Sequence, residues 1–177
     1  MGNFNSHLVK ALDNYPYDME VCLESLQYAL SSDFQNALAL CLMGRIYAEQ
    51  LYQYEEAKNC YQEAMTQDMQ LVELYPHYAY TLIQNEDFKE AEKLIDFAFT
   101  IKGINKGDMW CYRIMLAEKN KDYSKALEFI SEAICEGYNS SFISNIEDIE
   151  KRIKKKKDLK KKESNSEKKK KSKKKTK

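Results

Sequence analysis

The sequence predicts an all-α protein made of stacked helical hairpins, and a repeated phrase carries that prediction. Related five-residue phrases begin at Asp18, Gln53, Asp87 and Asp122, at intervals of 35, 34 and 35 residues. Each phrase is followed by a large apolar residue and then by an alanine, at helical spacing. A phrase repeated at this period is typical of an array of helix pairs. Only two prolines and five glycines occur, which fits helices joined by short turns.

The second helix of each predicted pair is the most regular element. Its apolar and small residues recur on one face of a 3.6-residue helix, so they are expected in the core. The core residues predicted in this way are Leu26, Tyr61, Ile95, Ile130, Ala29, Ala64, Ala98 and Ala133. An aspartate precedes three of these helices, at Asp18, Asp87 and Asp122. A carboxylate at this position accepts backbone N–H bonds from the first helical turn.

The first helices are less uniform, but most carry an apolar stripe. The stripe residues are Leu40, Met43, Gly44 and Tyr47 in the second pair, Leu74, Tyr78, Ala79 and Leu82 in the third, and Trp110, Ile114 and Ala117 in the fourth. The first pair has a shorter candidate helix at roughly 7–14. The longest connection, 103–107, contains two glycines. The predicted array therefore spans 1–137, with repeats at about 3–35, 36–70, 72–105 and 107–138.

A different pattern follows the array. Phe142, Ile146, Ile149 and Ile153 recur at helical spacing and predict one amphipathic helix over 139–156. A helical array needs a terminal element that covers its last apolar face, and this helix suits that role. Apolar residues nearly vanish afterwards, so the Lys-, Glu- and Ser-rich composition predicts a disordered tail over 157–177.

The neutral total charge hides two opposed halves. Residues 151–177 hold 17 basic and three acidic residues, a balance of +14. Residues 1–150 carry a balance of −14. The sequence therefore predicts an acidic body with a basic tail.

The repeated pattern resembles the tetratricopeptide repeat (TPR) family. The second repeat is closest to the family scheme, with Leu40, Met43, Gly44, Tyr47, Ala57, Tyr61 and Ala64 and with one residue inserted between its helices. The third and fourth repeats match in part, since Ile114 stands where the family has glycine, and the family's closing proline is missing. The resemblance implies a right-handed helical solenoid whose concave face is lined mainly by first helices.

The resemblance also implies a protein-binding groove. On its register the groove residues are Arg45, Glu49, Glu73, His77, Tyr80, Tyr112, Met115 and Glu118. Four of them, Arg45, His77, Tyr80 and Tyr112, are expected to be available to a ligand. A mixed aromatic and acidic groove suits a basic or amphipathic peptide. The function expected is therefore that of a non-catalytic scaffold or adaptor that binds a protein or peptide segment.

The lysine-rich tail has three interpretations. It solubilises the protein, it binds a polyanion, or it lies against the acidic body of its own chain. The second interpretation gives the alternative function, an RNA-, ribosome- or DNA-associated protein, because lysines release phosphate counterions without reading sequence. The residues expected to bind the polyanion are Lys154, Lys155, Lys156, Lys157, Lys168, Lys169, Lys170 and Lys171.

Catalytic chemistry is not expected. The sequence lacks a phosphate-binding glycine loop and the hydrolase and zinc-protease motifs. His7 and His77 have no second ligand at metal spacing, and the five cysteines never occur as C-x-x-C. We therefore expect a protein that is not an enzyme and that needs no cofactor or metal.

Location is indicated only in outline. No apolar run is long enough to span a membrane, and the N-terminus lacks the pattern of a secretory signal. The residues Met1-Gly2-Asn3-Phe4-Asn5-Ser6 match the N-myristoylation pattern. We expect a cytoplasmic protein, with nuclear and membrane-associated locations as alternatives. The sequence identifies neither the partner nor the oligomeric state.

Overall fold

The computed structural model describes residues 5–137 and 139–174, with side chains up to residue 162. This part of the chain is helical and contains no strand. Its helices are α1 (Ser6–Asn14), α2 (Met19–Ser32), α3 (Ala37–Arg45), α4 (Tyr54–Gln67), α5 (Leu74–Gln84), α6 (Phe88–Ala98), α7 (Lys106–Lys119), α8 (Tyr123–Cys135) and α9 (Ser140–Lys174). A π-helical turn, Ile46–Gln50, continues α3. The predicted all-α class is confirmed.

The helices pack in neighbouring pairs. The pairs are α1 with α2, α3 with α4, α5 with α6, and α7 with α8, while α9 packs mainly on α8. The chain divides into two compact units, which we call the N-terminal unit, up to Ile104, and the C-terminal unit, from Asn105 onward. The boundary lies in the predicted glycine-containing connection, where Gly103 has a φ of 89°. A left-handed backbone of this kind favours glycine because glycine has no Cβ.

The predicted core of the second helices is confirmed. The eight large apolar residues and alanines named above for these helices are each at most 1% exposed. The small residues that end the repeated phrases are also fully buried: Cys22, Ala57, Ala91 and Ala126. Because alanine has no bulk beyond Cβ, it allows the paired helix to approach closely. The period of the sequence therefore located the contact face of every second helix.

The predicted helix caps are confirmed at two positions and wrong at one. Asp18 accepts a hydrogen bond from the backbone N–H of Val21, and Asp122 accepts one from Lys125. Asp87 makes no such bond to α6. Its carboxylate instead accepts from Lys58 Nζ and from Asn85 Nδ2, each at 2.7 Å. A charged partner on α4 therefore replaces the cap, because hydrogen bonds between charged groups are the stronger ones.

The turns inside three hairpins share one backbone feature. Tyr52, Glu86 and Lys121 precede the second helix of their hairpins and have positive φ values of 55°, 63° and 59°. They lie 34 and 35 residues apart, so the repeat extends to the turn geometry. None of them is glycine, although this conformation costs energy for residues with a Cβ.

Gly44 packs directly against an aromatic ring. A Cβ added to Gly44 would lie only 2.7 Å from Tyr61 Cε1. The Tyr61 ring also stacks on Tyr78, with 5.2 Å between the ring centroids. The missing side chain therefore lets α3 approach Tyr61 of α4, and this explains the glycine of the second repeat.

Helix α9 covers the last hairpin. Ile146 and Ile153 are fully buried, and they belong to one hydrophobic cluster with residues of α7 and α8. Phe142 and Ile149 pack against the same cluster and are partly buried. These are the four apolar residues that predicted a terminal amphipathic helix.

The helix continues beyond its predicted end at residue 156. It reaches Lys174, so most of the segment 157–177 that was predicted to be disordered has a helical backbone, and the predicted disorder is not confirmed. Lysine and glutamate are good helix formers, and neither glycine nor proline interrupts the segment. The candidate myristoylation pattern falls largely on residues 1–4, which lie outside the described residues.

Candidate protein-binding surface

A polar network in the N-terminal unit joins Glu49 to three neighbours. The Tyr15 hydroxyl donates a hydrogen bond to Glu49 Oε2 at 2.6 Å. The other carboxylate oxygen lies 3.1 Å from His77 Nδ1 and 3.4 Å from Arg45 Nε. The Arg45 guanidinium also lies over the Tyr15 ring, 4.5 Å from its centroid. Residues from three hairpins therefore meet at one carboxylate, and we call this group the Glu49 network.

The π-helical turn Ile46–Gln50 positions Glu49. The second hairpin has one residue more between Gly44 and Ala57 than the third has between the equivalent Ala79 and Ala91. A π-helical turn accommodates one extra residue without ending the helix, and such turns are frequent at functional sites. The sequence showed the inserted residue, and the structure shows that the helix itself absorbs it.

The central carboxylate of the network, Glu49, is ionised at neutral pH. Burial raises the pKa of Glu49, but hydrogen bonds with His77 and Tyr15 and the charge of Arg45 outweigh burial and lower the pKa to about 2. The pKa of Tyr15 rises to about 12, through burial first and then through its bond to Glu49. Glu49 is therefore a carboxylate and Tyr15 a neutral phenol.

The network also reaches solvent. The side chains of Arg45, Glu49 and His77 are 27–29% exposed. Such partial exposure leaves room for a ligand to contact groups whose positions are already set. Arg45 and His77 were expected to be available to a ligand; in the structure both are partly exposed and both contact the Glu49 carboxylate. A ligand would meet a prearranged network rather than separate charges.

Aromatic side chains border the network. Tyr80 lies on α5 one helical turn beyond His77 and is half-buried. Burial raises its pKa, and Tyr54, Glu49 and Tyr52 raise it further. Tyr52 is 71% exposed. The polar network and these rings therefore form one mixed surface, and aromatic side chains often supply interface energy.

We call Arg45, Glu49, His77 and Tyr80 the first-helix surface, since they lie on α3, its π-helical continuation and α5. The predicted groove residue Glu73 lies just before α5 and is exposed. Tyr15 was not predicted as a site residue. It follows α1, 34 positions before Glu49, so the two residues lie one repeat period apart, but the period alone did not indicate that their side chains meet. Its only signal in the sequence was its place beside Pro16, which indicated the end of a helix.

The remaining predicted groove residues belong to the C-terminal unit. Tyr112 and Met115 lie on α7 and are half-buried. Glu118 is only 11% exposed at its side chain, because α9 pairs with it. Arg152 donates to both carboxylate oxygens, at 3.1 and 2.8 Å, and Lys156 donates at 2.8 Å. Glu118, predicted as a groove residue, is therefore paired with two cations of α9.

The first part of the basic segment contacts its own hairpin. Besides the Glu118 contacts, Lys160 Nζ donates to the Lys121 carbonyl oxygen at 3.0 Å. Lys154 pairs with Glu150 within α9 at 2.8 Å. Lys155 is exposed, and Lys157 is half-buried. The other predicted polyanion-binding residues, 168–171, lie outside the side chains that the structure describes.

An apolar cleft formed mainly by α4, α5 and α6 was not predicted. It has a volume of about 340 Å³ and is lined by Met65, Met69, Tyr78, Leu82, Glu90, Lys93, Leu94 and Phe97. A second cleft one repeat earlier has a volume of about 420 Å³, and its lining includes the apolar residues Leu23, Leu30 and Met43. Two large apolar residues of the lining, Met69 and Phe97, are 51% and 36% exposed. The sequence shows that they are apolar but does not show that they are exposed.

The described residues contain neither a membrane-spanning helix nor a cluster of metal ligands. No helix there is long and apolar enough to cross a membrane. Within the same ranges, no group of three or more His, Cys, Asp or Glu side chains is placed to hold a metal ion.

Comparison with known proteins gives no relative. No family model matches the sequence, and no curated protein matches it. The repeat register, the helix packing and the geometry of the first-helix surface are therefore the observations that bear on function.

Proposed function

We propose that the chain is a non-catalytic, TPR-like interaction module that binds a protein segment on its first-helix surface. The observation that carries the proposal is the Glu49 network. Its side chains come from three hairpins and are held by contacts of 2.6–3.4 Å, and three of them, Arg45, Glu49 and His77, remain partly exposed. A scaffold or adaptor needs such a surface and no reacting group.

Preorganisation supports this function physically. Ordering a rotamer-rich side chain on binding costs about 0.5–1.5 kcal/mol. In the Glu49 network this cost is already met in the folded protein, since Arg45, Glu49 and His77 hold one another in place. A partner that adds contacts to the network therefore loses less affinity to ordering.

The chemistry of the surface indicates a basic, aromatic or amphipathic segment. Glu49 is ionised, and Glu73 on the same unit is exposed. Residues 1–150 carry a balance of −14, which attracts cationic segments over a longer range. Tyr80 and Tyr52 provide faces for an apolar or cationic side chain. We expect the partner to present at least one Lys or Arg beside a large apolar residue.

A peptide-display selection tests the proposal. Random peptides of about 12 residues, long enough for the extended or helical modes of groove recognition, are selected on the purified full-length chain. Affinity for the selected peptides is then measured by fluorescence anisotropy. We expect the double variant His77→Ala/Tyr80→Ala to lower affinity at least about tenfold, as loss of an interface anchor does.

Tyr28→Ala is the matched control. Tyr28 is also an aromatic residue and is 55% exposed, but it lies on the second helix α2. We expect little effect on peptide affinity. If both variants weaken binding equally, the first-helix surface is not the binding site. The same conclusion follows if amide hydrogen exchange shows that the bound peptide protects the apolar cleft of α4, α5 and α6 instead.

The alternative function, polyanion binding by the tail, is separated by a shortened chain. Truncation after residue 162 removes much of the lysine tail and keeps the contacts of Arg152, Lys156 and Lys160 with the last hairpin. Truncation after 150 is unsuitable, because Ile153 is fully buried. Peptide binding that survives truncation at 162, nuclease treatment and added salt does not depend on polyanion binding by the removed tail.

A further inference from the structure

A cleft in the C-terminal unit lies where the turn between α7 and α8 faces α9. Its volume is about 340 Å³, and it is lined by Lys121, Asp122, Tyr123, Ser124, Lys157, Lys160 and Lys161. Four consecutive residues of the hairpin turn form one wall, and three lysines of α9 form the other. The cleft combines the start of a helix with a group of ammonium groups.

The charge inside the cleft is strongly positive. Four of its seven lining residues are lysines, and Asp122 is the only acid among them. The Asp122 carboxylate already accepts a hydrogen bond from the backbone N–H of Lys125 at 3.1 Å, as the cap of α8. The positive end of the α8 dipole adds to this field, since α8 begins at Tyr123.

One lysine of the cleft is fixed in place. Lys160 Nζ donates to the Lys121 carbonyl oxygen at 3.0 Å and lies 5.5 Å from the centroid of the Tyr123 ring. An ammonium group has three donors, so this hydrogen bond uses one of them. Lys121 itself is held in a left-handed turn with a φ of 59°. The exposed Ser124 hydroxyl adds a neutral donor on the same wall.

We propose that this cleft binds a phosphate group. The lining combines lysine ammonium groups with a hydroxyl. Hydrogen-bond donors of this kind suit the several acceptor oxygens of a phosphate. A nucleic-acid backbone and free inorganic phosphate offer the same chemistry. The proposal is independent of peptide binding on the first-helix surface, because all the residues it uses lie in the C-terminal unit.

The test uses the full-length chain and introduces a negative charge on α8. Ser124→Glu places a carboxylate inside the cleft, yet an acid is favourable in the first turn of a helix, so the fold is expected to persist. Ser131→Glu is the control, because it makes the same charge change at an exposed position on the same helix outside the cleft. The probes are a fluorescent 12-residue uridine oligonucleotide and inorganic phosphate, followed by anisotropy and by phosphorus NMR.

We expect Ser124→Glu to weaken oligonucleotide binding at least about tenfold, and Ser131→Glu to weaken it no more than about twofold. If Ser124→Glu also weakens the binding of inorganic phosphate more than Ser131→Glu does, a single phosphate is enough for binding. If the two variants differ only with the oligonucleotide, the cleft binds a nucleic-acid backbone and not a free phosphate. Equal weakening by both variants, or no binding of either probe, overturns the proposal.

A lysine comparison repeats the test from the other wall. The variant Lys157→Gln/Lys161→Gln neutralises two cleft lysines and leaves Lys160 bonded to Lys121. Lys151→Gln/Lys155→Gln removes the same charge from exposed positions of α9. The cleft pair is expected to lower affinity several-fold more than the control pair. Identical losses would mean that only the total charge of the helix matters.

Discussion

The Glu49 carboxylate connects residues of three hairpins through single hydrogen bonds. Tyr15 comes from the end of α1, Arg45 from α3 and His77 from α5. Because Arg45 lies four residues before Glu49, helical geometry brings these two together. Tyr15 and His77 reach the same carboxylate only through the packing of hairpins. The contacts of Glu49 with Tyr15 and His77 therefore form only when the three hairpins of the N-terminal unit pack together.

Glu49 should make stability depend on pH. Its folded pKa is lowered from 4.5 to about 2, so the ionised form stabilises the fold above about pH 4.5, and this contribution is lost as the pH falls towards 2. We expect Glu49→Gln to be less stable than the wild type at pH 7, by up to about 3 kcal/mol. Urea unfolding at several pH values should show this difference shrinking between pH 4.5 and 2.

The control is Glu63→Gln, which changes an exposed glutamate on α4. Its effect on the free energy of unfolding is expected to be small at every pH. A difference between the wild type and Glu49→Gln that stays constant down to pH 2.5 would contradict the assigned role of the carboxylate.

Two buried tyrosines give a second comparison at the residue scale. The Tyr75 hydroxyl donates to the Met69 carbonyl oxygen at 2.6 Å. The Tyr61 hydroxyl is buried and makes no hydrogen bond of good geometry among the described residues, although the Thr81 hydroxyl lies near it. Leaving a polar group buried and unpaired costs about 1–3 kcal/mol. The same chemical change should therefore have opposite effects at the two positions.

We predict that Tyr61→Phe leaves the free energy of unfolding unchanged or raises it by about 1 kcal/mol, whereas Tyr75→Phe lowers it by about 1 kcal/mol. Both rings are fully buried, so loss of apolar area does not distinguish them. Urea unfolding of both variants provides the measurement. A clear loss of stability in Tyr61→Phe would show that its hydroxyl has a partner.

The hairpin turns carry a recurring strain at the scale of the element. Glu86 and Lys121 adopt a left-handed backbone that glycine adopts without steric cost. We therefore predict that Glu86→Gly and Lys121→Gly each raise the free energy of unfolding by roughly 0.5–1 kcal/mol, the strain relief outweighing the added entropy of the unfolded chain. Thermal and urea unfolding provide the measurement.

Lys119→Gly is the matched control for the turn variants. Lys119 is an exposed lysine in the last turn of α7, two positions before Lys121. Glycine inside a helix costs about 1 kcal/mol, so this change should lower stability. If Lys121→Gly lowers stability as much as Lys119→Gly does, the left-handed turn is not a source of strain.

Sequence periodicity predicted the elements well and the contacts between their polar groups poorly. The alanines Ala29, Ala64, Ala98 and Ala133 were located because burial on one helical face leaves a period of 3.6 residues. The Glu118 contacts depend on how α9 lies against α7, and no local pattern encodes that geometry. Asp87 likewise pairs with Lys58 of another helix, although its position in the sequence indicated a cap.

The lysine-rich end was predicted to be a disordered basic tail from its composition. Composition gives the proportions of apolar and charged residues but not their positions in space. Composition could not show that Arg152, Lys156 and Lys160, spaced by four residues, lie on one face of α9 towards the last hairpin. It also gave no sign of the cleft at Ser124. Sequence therefore predicted a basic segment, and the structure shows which of its cations contact the hairpin.

At the scale of the whole molecule, the hydrophobic core and helix α9 end at different places, since the last buried residue among the described side chains is Ile153 whereas the helix continues to Lys174. We predict that a chain ending at residue 162 melts within a few degrees of the full-length chain. A chain ending at 150 loses the buried Ile153 and both partners of Glu118. Burying one isoleucine contributes about 1.5–3 kcal/mol, so the C-terminal unit should melt earlier.

Circular dichroism gives the melting temperatures, and amide hydrogen exchange locates the change. We expect faster exchange in α8 and the remaining part of α9 for the chain ending at 150, with unchanged protection in α1–α4. Equal melting of the two shortened chains would show that residues 151–162 are not part of the folded core.

The π-helical turn Ile46–Gln50 has a consequence for how such an array can change through insertion and deletion. An added residue in a loop leaves the side-chain directions of the neighbouring helices unchanged, whereas an added residue inside a helix rotates every later side chain by about 100°. Here the wider turn absorbs the addition, the hairpin still closes at Gln53, and Glu49 gains its partners. Deleting one residue from the turn should return the hairpin to the common repeat length and separate Glu49 from His77. A single codon is therefore enough to create or remove a polar centre while the hydrophobic pattern of the repeats stays the same.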